Sequence, residues 1–210
     1  MATRRSRRRA VSGGSTAARR AAHGRVIPTA PRRARNRLAT AVLAALGDAP
    51  ARRLLERVAT DRDALGAWLA PDERGSIEQL WRRASAAAAA VRTLPLADPA
   101  SSLAAALAAA AALFDAGLGF EVHEALEPHW VTAEGERREA LQGLIQVAVG
   151  FQHLANGNLD GGRTLVGEGA ARMRGRYLDG LALDDFARAA VGALVDLAAG
   201  EAPRPPRFPR

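Results

Sequence analysis

The sequence predicts an all-α protein, a multi-helix bundle of antiparallel helices behind a disordered basic N-terminal tail, and three observations carry that expectation. Apolar residues make up 48% of the 210 and aromatic residues only 4%, so a core must be assembled mainly from Ala, Leu and Val. Ala and Leu head the helix scale, while the strand formers Ile, Thr, Tyr and Phe are scarce. Along most of the chain the apolar residues recur at spacings of three and four, the period of a half-buried helix.

Composition also excludes several classes of function. Cysteine is absent, which removes disulfides, thiolate metal sites and a cysteine nucleophile and fits a reducing cytoplasm. No run of eighteen apolar residues and no signal-peptide pattern occurs, so a cytoplasmic protein without a membrane span is expected. The net charge of +8 is uneven: residues 1–47 hold twelve arginines and no acid, and residues 48–210 hold eighteen arginines and 22 acids. All basic residues are arginine, a bias we read as genome composition rather than chemistry.

Residues 1–31, with RRSRRRAVSGGSTAARR, lack apolar periodicity and are expected to be disordered, because they bury too little surface to offset the entropy of ordering. Their charge suits weak, salt-sensitive nucleic-acid binding by residues 1–37 through phosphate neutralisation. A solvated tail is the plainer reading. Residues 32–92 then read as a helical extension: one helix to Gly47, a second from Pro50 to Leu69, and a third opened by Pro71 and Asp72 and carrying Ile77, Leu80 and Trp81. These are read as packing units. The stretch TLPLADPASS at 93–102 reads as a linker. A helical domain follows over 103–200, with helices over 103–116, 120–130, 133–156, 159–177 and from Asp184 or Asp185 to Ala199. The glycine-rich fourth of these is explained by close helix approach rather than by a phosphate loop. The proline-rich end, 201–210, is expected to be extended and solvated. Homo-oligomer formation through Trp68 or Trp81 is left open.

The chemically varied stretch is FEVHEALEPHW, residues 120–130. At about 100° per residue, Phe120, His123, Glu127 and Trp130 share one face, with Glu124 at its margin. Glu121 and His129 point elsewhere and rank second. The next long helix carries Glu139, Gln142, Gln146 and His153 as a polar stripe among apolar residues, and such groups cost desolvation unless partnered. An antiparallel pair is therefore expected, with His123, Glu124 and Glu127 facing Gln142, Gln146 and His153.

Three readings of that cluster stay open. It is a self-satisfied hydrogen-bond network; or a divalent-metal site with His123, Glu127 and His153 as ligands; or an acid–base pair, Glu127 and His123, with Glu124, Trp130, Gln142, Gln146 and Phe120 lining a small-molecule pocket. The function expected is accordingly a small-ligand-binding or structural module, with a zinc-type hydrolase or a nucleic-acid-associated protein as alternatives.

Phe114-Asp115, Gly117, Phe120-Glu121, His123-Glu124, Glu127 and Trp130, followed by LQGLIQ at 141–146, His153 and Gly157-Asn158, resemble the bacterial and archaeal domain of unknown function family 309. The resemblance spans about residues 103–175 and implies an all-helical bundle with no established activity. The family commonly has an acid or polar residue where Pro128 and His129 stand here. Residues 1–92 lie outside it.

Overall fold

The structure, a computed structural model, describes residues 26–201 and 204–210, and these form nine α-helices and one two-residue hairpin. The N-terminal helices are α1 (Arg32–Gly47), α2 (Ala49–Thr60), α3 (Arg62–Trp68) and, after a 3-10 turn at Pro71–Ser76, α4 (Ile77–Arg92). The expected second helix is thus two. Asp61 divides it, because its carboxylate takes the backbone N–H groups of Asp63 and Ala64 and so caps a new helix.

The second half of the chain runs α5 (Leu103–Asp115), α6 (Gly119–Thr132), α7 (Gly135–Ala155), α8 (Leu159–Met173), strands β1 (Tyr177–Leu178) and β2 (Leu181–Ala182), and α9 (Asp184–Ala198). Ser102 caps α5 by accepting from Ala105 N–H, 3.2 Å. Gly117 at φ 78° turns the chain into α6, a conformation that a Cβ disfavours. Further along, Asp184 does not cap α9; it accepts from Gly175 N–H at 2.9 Å, across the base of the hairpin.

Helices α6 and α7 lie antiparallel, as expected. The start of α6 meets the end of α7, where a Cβ on Gly119 would fall 2.2 Å from the Ala148 carbonyl oxygen. The far end of α6 meets the start of α7, where Arg138 donates to the Trp130 carbonyl at 3.0 Å. Helices α7 and α8 also pack tightly, along a longer seam. Gly143 faces Gly169, and Gly150 faces Gly162, with added Cβ atoms only 2.7–3.1 Å from the opposing carbonyl oxygens. Of the four glycines of α8, Gly162 and Gly169 are therefore explained by packing against α7.

One buried apolar cluster is continuous from Ala30 to Phe208 and takes in residues of α1–α9. Residues 93–102 are fixed against both sides of it: Ala97 N–H donates to the Leu46 carbonyl, 2.8 Å, and His129 bonds the Pro99 carbonyl, 2.7 Å. Two expectations about the chain's ends change. The N-terminal tail falls outside the described residues over 1–25, but residues 26–31 are tied to the bundle: Ile27 N–H donates to the Gly117 carbonyl and Thr29 N–H to Asn156 Oδ1. The C-terminal segment is not solvated throughout. Phe208 is buried against Phe114 and Phe186, each ring centroid 5.5 Å away, and Arg210 pairs with Asp115 at 2.6 Å. No helix of the described residues is long and apolar enough to cross a membrane.

Candidate functional site

Helix α6 owes its position to a buried contact beneath the motif. Glu121 and Arg83 of α4 are both wholly inaccessible, and Arg83 Nη2 donates to Glu121 Oε2 at 2.5 Å. The other terminal nitrogen of Arg83 donates to the Ile27 carbonyl, 2.5 Å, and to Gln152 Oε1, 3.2 Å, while Gln152 Nε2 donates to the same carbonyl at 2.8 Å. One network thus joins α4, α6, α7 and the segment before α1. Burial pushes the Glu121 carboxyl above its usual range, and the Arg83 charge opposes that rise.

On the other side of α6, His123, Glu124 and Glu127 are half-buried, and one ligand atom from each lies within 4.8 Å of the others. Glu124 Oε1 accepts from His123 Nδ1 at 2.8 Å. A carboxylate only accepts, so this bond places the imidazole proton on Nδ1. The i, i+1 and i+4 spacing sets Glu124 beside His123 and Glu127 one turn beyond. Phe120, one turn before His123, stacks on the imidazole with centroids 6.3 Å apart and planes at 27°.

Trp130 lies a turn past Glu127 beneath Arg138, whose guanidinium is 4.3 Å from the ring centroid. Its indole Nε1 is buried without a partner among the described residues. Pro128 stands inside the helix and lacks the N–H that would bond to the Glu124 carbonyl.

The polar stripe of α7 does not converge on this cluster. Gln146 donates to Glu168 at 3.1 Å and accepts from Arg172 Nε at 3.0 Å, both on α8, and Arg172 also pairs with Glu139. His153 Nδ1 accepts from the Asn158 amide at 2.8 Å, in the turn after α7. Gln142 stays half-buried on α7. Of the residues expected to come together, His123 and Glu127 lie with Glu124, while His153 is apart from them, because the partners of the α7 stripe come from α8 and the turn leading to it. Glu121, ranked second, is the most buried charge of the motif. Its partner Arg83 gave no signal, being one of many arginines and 38 residues away.

No curated protein and no solved structure matches the chain. Residues 107–165, from within α5 through the cluster-bearing α6 and the whole of α7 to the first turns of α8, match the family model described as Domain of unknown function (DUF309).

Proposed function

We propose that this chain is a divalent-cation-binding helical protein whose centre is His123, Glu124 and Glu127, with coordination positions left over for a small ligand. The observation that carries the reading is the approach of three ligand atoms, one from each residue, to within 4.8 Å of one another. A transition-metal ion holds imidazole nitrogen and carboxylate oxygen at about 2.0–2.2 Å, which sets such atoms roughly 3 Å apart. Closing the set around an ion replaces the hydrogen bond between His123 and Glu124 with coordination by both. Two carboxylates and a neutral imidazole suit a zinc-like or manganese-like ion better than calcium, which takes oxygen alone. Three protein ligands leave the site open, as binding or hydrolytic chemistry requires.

A self-satisfied network is the competing reading, and the 2.8 Å bond between His123 and Glu124 favours it. Elemental analysis of untagged protein after dialysis against zinc or manganese separates the two. About one ion per chain in the wild type, lost in His123→Ala, is expected. Substoichiometric metal that the substitution leaves unchanged assigns the cluster to hydrogen bonding alone.

A further inference from the structure

Every residue of α5 from Leu103 to Phe114 is apolar, a composition that fits a helix covered on all sides. The protein covers only part of it. Ala106, Ala109, Ala110 and Leu113 are buried, whereas Ala104 and Ala108, one turn apart, are exposed. Against that uncovered face lies a partly open cavity of about 590 Å³. Ala104, Leu107, Ala108 and Ala112 of α5 line it, together with Leu178 and Leu181 of the hairpin and Pro209 of the C-terminal segment. Alanine side chains end at Cβ and so leave that space unfilled. None of the lining residues belongs to α6, so the cavity is separate from the His123 cluster.

We propose that this cavity is a binding site for an uncharged, apolar small molecule. Its volume falls within the roughly 300–1,000 Å³ of small-molecule sites. A helix with its side chains is about 10 Å across, so the same space takes little more than one turn, too little for a helix of a second copy. The polar side chains of the lining decide the charge of the occupant. Thr93 donates its hydroxyl to the Ala90 carbonyl at 2.7 Å, Asp179 pairs with Arg137 at 3.7 Å, and Arg210 pairs with Asp115 at 2.6 Å. Each is engaged within the chain, and Asp179 and Arg210 are at least half exposed to water. An ionic head entering the cavity would lose hydration and meet no counter-charge that is not already paired. An apolar body, by contrast, removes both its own surface and that of the lining alanines and leucines from water.

The full chain, untagged and at physiological salt, is titrated with phenylnaphthylamine, whose fluorescence rises in apolar surroundings, and with its sulfonated analogue anilinonaphthalenesulfonate. The wild type is expected to bind the neutral probe saturably, at about one per chain, and more tightly than the sulfonate. Ala104→Phe and Ala108→Trp put a large ring into the cavity from exposed positions. Each should weaken the neutral probe roughly tenfold or more while circular dichroism stays unchanged. Octanol should displace the probe from the wild type and octanoate should not, a comparison that decides on the wild type alone if either variant loses helical signal. Absence of saturable binding overturns the proposal, as do equal affinity in the wild type and both folded variants and failure of octanol to displace the probe. Tighter binding of the sulfonate, lost in Ala108→Trp, makes this an anion site and overturns it too. Sedimentation covers the remaining occupant: a wild-type dimer that Ala108→Trp dissociates assigns the face to a second copy and overturns the small-molecule reading.

Discussion

Glu121 and His123 stand two residues apart on one helix and face opposite conditions. His123 is half-buried beside Glu124, while Glu121 is sealed against Arg83. Taking both charges of that pair out of water is costly, and breaking it by removing one partner typically costs about 3–5 kcal/mol. The pair therefore fixes α6 against α4 more than it adds net stability. Burial raises the Glu121 carboxyl above its ordinary value of 4.5. The folded chain then holds that proton more tightly than the unfolded chain, and the stability this contributes is present below the ordinary value and lost as pH rises through the folded one. Glu121→Gln removes the titration. Urea unfolding across a pH series should show the advantage of the wild type over Glu121→Gln shrinking as pH rises from below 4.5. An advantage that grows with pH would mean the attraction of Arg83 outweighs burial.

Helices α7 and α8 pack along a glycine seam, and the glycines of these two helices divide by role. A Cβ on Gly150 would lie 2.9 Å from the Val166 nitrogen and 3.1 Å from the Gly162 carbonyl oxygen, so Gly150→Ala must push α8 outward. Overpacking of this kind costs about 1–3 kcal/mol. Gly167, on the same helix α8, has open space where its Cβ would be. There alanine removes the helix penalty of glycine, and Gly167→Ala is expected to stabilise by about 1 kcal/mol. Chemical denaturation of the two variants should shift in opposite directions. Equal shifts would deny the seam its role. The pattern was legible in part: glycine content pointed to close helix approach, but which glycines touch depends on the facing helix and not on α8 alone.

For the molecule as a whole, both ends of the described chain are held by the bundle. Ile27 and Thr29 bond to residues around Gly117 and Asn156, and Phe208 completes an aromatic cluster with Phe114 and Phe186. Composition alone read both segments as tails, since one follows an Arg-rich run and the other is mostly proline and arginine. A single buried ring overrides that average. Phe208→Ala is expected to lower stability by about 3 kcal/mol, at the low end for a buried phenylalanine because it lies near a chain terminus. A thermal midpoint unchanged by the substitution would return the segment to solvent.

The sequence by itself determined the all-helical class, the approximate span of most helices, the glycine seam and the motif helix, because each is a matter of local propensity and period. It also placed His123, Glu124 and Glu127 together, since they share a helix and their spacing is fixed by its pitch. Tertiary structure decided the rest. Gln146 is taken up by Arg172 and Glu168, His153 by Asn158, and Glu121 by Arg83. The bonds of Gln146 and Glu121 link different helices and that of His153 reaches the turn beyond its own, and a buried polar group takes whichever partner packing brings within reach. Periodicity shows which face of a helix a residue occupies, but not which neighbour that face will meet.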